Sequence, residues 1–335
     1  MAFFDFHTSK RDIFDWANAP YAPGGKPFLL GCQVISLNSG WGDMHFHFYP
    51  RPKYTIYVNM YESRQHRKTV AEFHGESLEF TFMMGGSMVN QVGGFKEEEV
   101  RTMQYNISYY PGFESRSIFE KDHFYLTLDI HFTKEYIEEL SGEFPVQLAP
   151  LIESMEKRKP CRLNQLPFFA DMFVKEAGNR IFHFLKNGSF FPMEMDQEVA
   201  TLMRHVIAPK LQVGRELLDT SRRQVLNEVY GQLTRQLMDM PKLAKLQRQA
   251  GMSATMLREM FKATFGQNMR AAWVSHRMDE ALSMIAYERE KKIREIGLEL
   301  GFLNVSNFSK AFISTYGTSP RSVRKSGNWW NLKYI

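Results

Sequence analysis

The sequence predicts an α+β protein with two domains: an N-terminal antiparallel β barrel or sandwich with flanking helices, and an all-α C-terminal domain. The first observation is that apolar residues alternate with polar ones in the first half of the chain, as in half-buried strands. The second is that helical spacing replaces this alternation from Lys134 onward. The third is a pattern that occurs twice in the last hundred residues. With 335 residues, the chain is long enough for two hydrophobic cores.

The β prediction depends on alternation between turns. The clearest strands are predicted at 54–60, 78–84 and 124–132, and turn signals containing glycine occur at 85–86, 93–94 and 111–112. Short strands separated in this way favour an antiparallel barrel or sandwich, which we expect over roughly residues 20–132. The first domain as a whole is predicted to span residues 1–150.

Helical patterns follow in the middle of the chain. Apolar residues recur at spacings of three and four in segments 168–185, 196–207 and 222–238, and Pro241 ends the last of these. We expect residues 151–225 to form a helical region that links the domains and provides a dimer seam. The alternative is that these helices are simply part of the core.

The duplicated pattern is typical of a helix-turn-helix unit. Each copy has a short amphipathic helix, a glycine followed by an apolar residue, a polar N-cap, and a second helix that ends in an aromatic residue before glycine. In the first copy, Gly251 permits the positive φ of a tight turn and Ser253 caps the second helix. The two copies run from Leu243 to Gly266 and from Ile293 to Gly317.

A long helix predicted between Asn268 and Tyr287 joins the two units. About 20 residues at 1.5 Å each give a length of roughly 30 Å. Successive major-groove entries on one face of B-DNA are about 34 Å apart. The connecting helix therefore has the right length to place both second helices in adjacent grooves. We expect this all-α domain to span residues 226–326.

The positive charge of the chain is concentrated in the same segment. Between Pro241 and Lys325 there are 15 basic and 7 acidic side chains, a net charge of +8. The rest of the chain has 27 basic and 30 acidic side chains, a net charge of −3. A domain that binds a polyanion needs this distribution, although a solvated basic surface would have the same totals.

Three stretches of the C-terminal segment together resemble the DNA-binding domain of the AraC/XylS family of bacterial transcription regulators. They are GMSATMLREMFKATFG, WVSHRMDEAL and IREIGLELGFLNVSNFSKAFISTYGTSPRSVR. The FKATFG ending is similar to the siderophore-regulator branch of that family. The resemblance implies a transcription activator that reads double-stranded DNA at a promoter or operator. The resemblance is also compatible with RNA polymerase and a second copy of the chain as partners.

The resemblance assigns roles to individual side chains of the two second helices. The positions expected to face bases are Thr255, Arg258, Glu259, Val305, Ser306, Ser309 and Lys310. Contacts to phosphate are expected from Ser253, Lys262, Asn304, Asn307, Arg321, Arg324 and Lys325.

One of these positions departs from the family pattern. The family usually has a basic residue where this chain has Glu259. A glutamate can accept a hydrogen bond from the amino group of cytosine, but it cannot bind guanine as an arginine does. We therefore assign the guanine contact to Arg258, one position earlier.

The N-terminal half predicts a sensory domain. A small barrel can enclose one ligand, and the resemblance implies a small effector that biases the DNA-binding half. His45 and His47 have the two-residue spacing of metal-binding cupin barrels, but no carboxylate follows within a few residues. We interpret them as core or surface histidines and expect no cofactor. The alternative function is a cupin-like metal-dependent enzyme with a nucleic-acid-binding C-terminal domain.

The remaining signals concern location and the chain ends. No apolar run of about 18 residues occurs and the N-terminus lacks a secretion signal, so we expect a cytoplasmic protein without a membrane partner. Cys32 and Cys161 are the only cysteines and are interpreted as unlinked thiols. The aromatic tail at 327–335 is expected to pack back on the protein through Trp329, Trp330 and Tyr334, with contact to a partner as the alternative.

Overall fold

The computed structural model describes residues 5–8, 15–17, 29–73, 75–207, 212–213, 216–217 and 220–326. The chain divides into two compact units. The first comprises Met1–Phe168 and Val174–Ala208, and the second comprises Phe169–Phe173 and Pro209–Ile335. The aromatic tail at 327–335 lies outside the described residues, so its packing stays a prediction.

Antiparallel strands dominate the described part of the chain before residue 133, and helices follow. The strands are β1 (Asp5–Thr8), β2 (Asp15–Ala17), β3 (Gln33–Asn38), β4 (Gly42–Pro50), β5 (Tyr54–Ser63), β6 (Arg67–Phe73), β7 (Ser77–Gly85), β8 (Met88–Val92), β9 (Glu98–Val100), β10 (Gln104–Tyr110), β11 (Phe113–Phe119), β12 (His123–Phe132), β13 (Cys161–Arg162) and β14 (Phe168–Phe169). The helices are α1 (Lys134–Glu143), α2 (Pro145–Glu156), α3 (Met172–Asn187) and α4 (Pro192–Ile207).

The strands of the first unit form two sheets. The smaller sheet has the order β1-β6-β11-β8-β9, and the larger has the order β13-β10-β7-β12-β5-β4-β3-β2. Neighbouring strands run antiparallel, and side chains from both sheets line one interior cavity. The predicted α+β class with N-terminal antiparallel sheets is confirmed. Two separate sheets facing each other make the first unit a sandwich.

Helices cover the outer face of the larger sheet. Gly178 of α3 lies against Phe82 and Leu128, and a Cβ at this position would come within 2.9 Å of the Phe82 ring. Asp196 of α4 accepts two hydrogen bonds from the Arg51 guanidinium, at 3.0 and 2.6 Å, and one from the Tyr54 hydroxyl at 2.6 Å. A small residue and a bidentate ion pair therefore hold the two helices on the sheet.

Two helix starts differ from the sequence prediction. The pattern that begins at Phe168 becomes helical only at Met172, because Phe168–Phe169 is extended and the Asp171 carboxylate accepts a hydrogen bond from the Phe173 N–H at 3.0 Å. The segment predicted to resume as a helix at Asp196 begins already at Pro192. A proline fits the first turn of a helix, where its missing N–H has no partner to lose. No helix among the described residues is long and apolar enough to cross a membrane.

His45 and His47 lie in the core. They alternate along β4 with Phe46 and Phe48, which line the cavity, so the two histidines lie on the other face of the sheet. Their exposed fractions are 3% and 2%, and Nδ1 of His45 is 2.8 Å from Oγ of Ser36. Burial lowers the pKa of each imidazole to about 4. Within the described ranges, no group of three or more His, Cys, Asp or Glu side chains is arranged to hold a metal ion.

These buried histidines predict that the protein loses stability in mild acid. Each imidazole stays neutral in the folded chain but takes up a proton in the unfolded chain, so stability falls as pH drops from 6.5 towards 4. Each lowered pKa corresponds to about 3 kcal/mol once fully developed. Urea unfolding at about pH 7 and at about pH 5, monitored by circular dichroism, measures the loss of stability. The variant His47→Gln should flatten the pH dependence, and the exposed His183→Gln should not. Equal slopes in all three proteins would contradict the assignment.

Candidate nucleic-acid interface and ligand cavity

The described part of the second unit is largely helical. Its elements after residue 208 are β15 (Gln212–Val213), β16 (Glu216–Leu217), α5 (Thr220–Arg235), α6 (Leu243–Ala250), α7 (Ala254–Phe265), α8 (Met269–Tyr287), α9 (Ile293–Glu299), α10 (Val305–Tyr316) and α11 (Pro320–Ser326). Helices α6 and α7 form the first predicted helix-turn-helix unit, and α9 and α10 form the second.

The first helix-turn-helix unit has the predicted local structure. Helix α6 ends at Gly251, which adopts a φ of 62°. The Ser253 side chain then accepts a hydrogen bond from the Met256 N–H at 3.3 Å and starts α7. Leu257 and Phe261 of α7 are buried. The glycine, the cap and the apolar stripe thus set the turn and decide which face of α7 points inward.

The second helix-turn-helix unit repeats this arrangement. Gly301 adopts a φ of 76°, and the Asn304 side chain accepts a hydrogen bond from the Asn307 N–H at 2.8 Å to start α10. Phe308 and Phe312 are fully buried and anchor the inner face of α10. The sequence prediction of a second helix-turn-helix unit is confirmed at each of these positions.

Helix α8 joins the two units as predicted. It has 19 residues, and its N-cap Asn268 accepts a hydrogen bond from the Ala271 N–H at 2.9 Å. Both α7 and α10 pack against α8. One continuous helix therefore supports both second helices, which fixes their relative positions.

The outward face of each second helix carries the side chains predicted to contact bases. In α7, Thr255, Arg258 and Glu259 are exposed. In α10, Ser306 and Lys310 are exposed, whereas Val305 and Ser309 are half-buried. The residues predicted to contact phosphate that are exposed are Ser253, Lys262, Asn304, Asn307, Arg321 and Lys325.

Arg324 has a structural role that the sequence analysis missed. Its guanidinium donates to the main-chain carbonyls of Lys291 and Glu288, at 2.5 and 3.4 Å. Burial lowers the pKa of this side chain. Arg324 therefore ties α11 to the turn between α8 and α9, which competes with its predicted contact to phosphate.

Arg277 is a second arginine with a structural role, and it is buried. It is 5% exposed, and its guanidinium carbon lies 4.2 Å from the centre of the Trp273 ring and 4.1 Å from the centre of the Phe302 ring. It also donates to the carbonyl of Leu300, and burial lowers its pKa. The signal was available in the sequence, because Arg277 falls on the same helical stripe as Trp273 and Ala281. Part of the net charge of +8 is therefore internal.

A buried ion pair and a ring cluster complete the core of this unit. Arg223 lies 3.2 Å from Asp171, and both side chains are buried. The Tyr230 ring lies 4.4 Å from the Phe169 ring and 4.7 Å from the Phe265 ring, measured between ring centres. These contacts come from α5 and from the short segment 169–173, so α5 is part of the domain that holds the helix-turn-helix units.

The first compact unit, which holds the N-terminal β sheets, contains a cavity of about 310 Å³ between its two sheets. Aromatic rings and aliphatic side chains form most of its wall, and a group of polar side chains from the larger sheet forms one side. A volume near 300 Å³ is at the lower end of the range for small-molecule sites. The predicted sensory domain thus has an interior space of suitable size.

Comparison with known proteins identifies the second unit. Residues 246–326 match the family described as a helix-turn-helix domain. Over 83 residues the chain is 30% identical to the virulence regulon transcriptional activator VirF of Yersinia enterocolitica, a match that covers 25% of this chain and 30% of VirF. The chain thus spans less than a third of the length of this curated relative.

Two solved structures also align with the chain. A transcriptional regulator with an AraC-type DNA-binding domain from Chromobacterium violaceum is 20% identical, with a TM-score of 0.30, and the alignment covers 33% of this chain and 97% of that one. ToxT from Vibrio cholerae is 12% identical, with a TM-score of 0.31, and the alignment covers 81% of this chain and 98% of that one.

Two helix-turn-helix units on one connecting helix define the class of this domain, which is that of a double helix-turn-helix domain. Residues 246–326 are the part of the chain that is similar to the helix-turn-helix domain family.

Proposed function

We propose that the chain is a sequence-specific, AraC-type transcription regulator that reads two adjacent major-groove segments of double-stranded DNA. The observation that carries the proposal is that α7 and α10, the second helices of the two helix-turn-helix units, have exposed polar faces and both pack on the single helix α8. The similarity to VirF, which is described as a transcriptional activator, supports activation as the direction of control. Such a regulator acts where bacterial DNA lies, in the cytoplasm.

The two helices are expected to read different sequences. Helix α7 presents Arg258, a bidentate donor suited to guanine, next to Glu259, an acceptor suited to the cytosine amino group. Helix α10 presents mostly small polar side chains and Lys310. We infer an asymmetric site in which α7 specifies a short G/C-containing segment and α10 contributes weaker base discrimination.

The experiment that tests the function is genome-wide mapping of bound DNA, followed by mobility-shift titrations on the recovered sites at several salt concentrations. A regulator of this class should bind selected sites in preference to mixed DNA, and its affinity should fall as salt rises because phosphate contacts release counterions. Equal affinity for recovered and scrambled sites would contradict sequence-specific reading.

The variants Arg258→Ala and Lys310→Ala test the base assignments. Each side chain is exposed, so folding should be unaffected. Each variant is expected to lose about 1–3 kcal/mol of binding free energy and to relax the preference at one end of the site. Selection of bound sequences from a randomised library, with each variant, shows which end changes. Uniform weakening on all sequences would instead assign the side chain to phosphate.

Two further variants make this test sharper. Glu259→Ala removes a negative charge from the same face, so non-specific affinity should rise while the preference for its base pair is lost. Lys159→Ala removes an exposed positive charge from the first unit and should leave DNA binding unchanged. A Glu259 variant that loses affinity without any change of preferred sequence would argue against a base contact.

The proposal extends to control of DNA binding. A small effector bound in the cavity of the first unit would shift the chain towards one DNA-binding state. A second copy of the chain and RNA polymerase are the protein partners that such a regulator would use at a promoter. The comparisons provide no support for the alternative of a cupin-like metal-dependent enzyme.

A further inference from the structure

The polar side of the cavity in the first unit is a continuous strip across neighbouring strands of the larger sheet. Asn59 of β5 lies directly opposite Thr127 of β12. On the other edge of β12, Asp129 pairs with Thr81 of β7, and His131 pairs with Glu79. All of these side chains line the cavity. Strand register therefore brings two carboxyl groups from adjacent strands to the same side of one space.

The hydrogen bonds within the strip leave two side-chain oxygens without a donor in the described part of the chain. Oδ2 of Asp129 accepts from Nδ2 of Asn59 at 2.5 Å and from Oγ1 of Thr127 at 2.7 Å. Among the described residues, Oδ1 of Asp129 and Oδ1 of Asn59 have no hydrogen-bond partner, and the Asn59 side chain is only 8% exposed. Buried polar atoms are normally paired. Both atoms are acceptors when Asp129 is ionised, so the group that then completes them is a hydrogen-bond donor.

The charges of the cavity wall point the same way. The wall holds the carboxyl groups of Glu79, Glu98 and Asp129. Arg162 is its one lysine or arginine, and Arg162 pairs with Glu98 at 2.5 Å. Nε2 of His131 lies 3.5 Å from Oε2 of Glu79, and burial lowers the pKa of this imidazole, which disfavours its charged form. Glu79 and Asp129 are therefore left without a fixed cation along the described wall.

Aromatic side chains occupy much of the remaining wall. The rings that line the cavity include Phe46, Phe48, Tyr57, Tyr61, Tyr110 and Phe119. The faces of such rings attract cations, and their area favours the apolar part of a ligand. Carboxyl groups and aromatic rings that line the same cavity form the usual environment for an ammonium group attached to an apolar body.

We propose that this cavity binds a small amphipathic amine in its protonated form, with the N–H groups donating to Asp129 and Asn59 and the apolar part lying among the aromatic rings. The claim that this amine is the effector rests on the proposed function, but the claim that it binds does not. The chemical class excludes anionic ligands such as carboxylates, because the one arginine of the described cavity wall, Arg162, is already paired with Glu98.

The proposal predicts that binding depends on pH. Burial and the nearby Glu79 raise the pKa of Asp129 to about 8, against the pull of hydrogen bonds from Thr127 and Asn59. The other charged or titratable groups that line the cavity are Tyr57, Tyr61, Glu79, Tyr105, Tyr110, His131 and the Glu98–Arg162 pair. Below pH 8 an incoming ammonium group must displace the Asp129 proton, so affinity should fall about tenfold for each pH unit and binding should release a proton.

The test uses the full chain and three probes of matched shape: phenethylamine, phenethyl alcohol and hydrocinnamate. Isothermal titration and thermal shift should show binding of phenethylamine, at least tenfold weaker binding of the alcohol and none of the carboxylate. Hexylamine and tyramine extend the amine set. If none of the three amines binds, or if hydrocinnamate binds most tightly, the proposal is overturned.

Variants locate the site and separate binding from regulation. Asp129→Asn should weaken phenethylamine at least tenfold and abolish its proton release, and the variant should stay folded because the amide needs no ionisation in the cavity. Asp43→Asn is the matched control, since its carboxyl group pairs with Arg64 at 2.6 Å and does not line the cavity. Equal affinity in the two variants would remove the site from the cavity.

A mobility shift with and without phenethylamine reports on regulation separately. Amine binding that leaves DNA affinity unchanged overturns the effector role and preserves the site. Loss of DNA binding under all conditions, with amine binding retained, overturns the proposed function alone.

Discussion

The substitution Gly301→Ala is expected to destabilise the C-terminal compact unit by about 3–5 kcal/mol, which corresponds to a fall of roughly 10–20 °C in its Tm. Gly301 has a φ of 76°, a conformation that an L side chain disfavours. A Cβ at this position would also lie 2.3 Å from the carbonyl oxygen and 2.7 Å from the Cα of Met238. Both atoms belong to the main chain, so relief requires the segment after α5 to move.

Gly251→Ala is the matched control within the same chain. Gly251 has a φ of 62° and occupies the equivalent turn of the first helix-turn-helix unit, but a Cβ there would meet nothing within 4 Å. Only the backbone strain remains, at about 1–2 kcal/mol. Thermal and urea unfolding of both variants measure the difference. If the two substitutions cost the same, the close approach of Gly301 to Met238 is not a feature of the folded protein.

Replacing Arg277 by alanine is expected to cost about 3–5 kcal/mol of folding stability. The change removes a guanidinium stacked between the Trp273 and Phe302 rings and leaves the buried Leu300 carbonyl without its donor. It also opens space in the core next to the turn of the second helix-turn-helix unit. Arg277→Lys should recover only part of the loss, because an ammonium group cannot stack as a planar guanidinium does.

DNA binding distinguishes this structural role from a contact to phosphate. Well below the Tm of Arg277→Ala, the folded fraction should bind DNA with an unchanged dependence on salt. Arg289→Ala, which removes an exposed arginine beyond the end of α8, should leave the free energy of unfolding within about 0.5 kcal/mol of the parent value. An Arg277 variant with normal Tm and a weaker salt dependence would place this side chain at the DNA instead.

Much of the second unit could be predicted from the sequence because its structure is local. Caps at Ser253 and Asn304, glycines at the two turns, and apolar residues at helical spacing act within a few residues of one another. The alternation in β5, β7 and β12 likewise predicts strands, since side chains of a strand point to opposite faces in turn. Helix starts near 168 and 192 were less accurate because a side-chain cap and a proline decide them.

The candidate ligand site could not be predicted in the same way. Alternation predicts that Asn59, Glu79 and Asp129 each face one side of a strand, but it does not say which strands are neighbours. The order β7-β12-β5 and its register bring the three side chains to one side of the cavity. Their shared environment raises the pKa of Asp129, which in isolation would be an ordinary acid.

The sequence by itself determined the α+β class, the two helix-turn-helix units, and the length of the helix between them, because short-range periodicity, caps and turns decide these features. Only the tertiary structure decided which cations are at the surface. Arg277 and Arg324 count toward the net charge, yet Arg277 is buried and both side chains donate to main-chain carbonyls of the domain. It also made two equivalent glycines unequal, because steric contact with a distant segment such as Met238 depends on how the helices pack and not on local sequence.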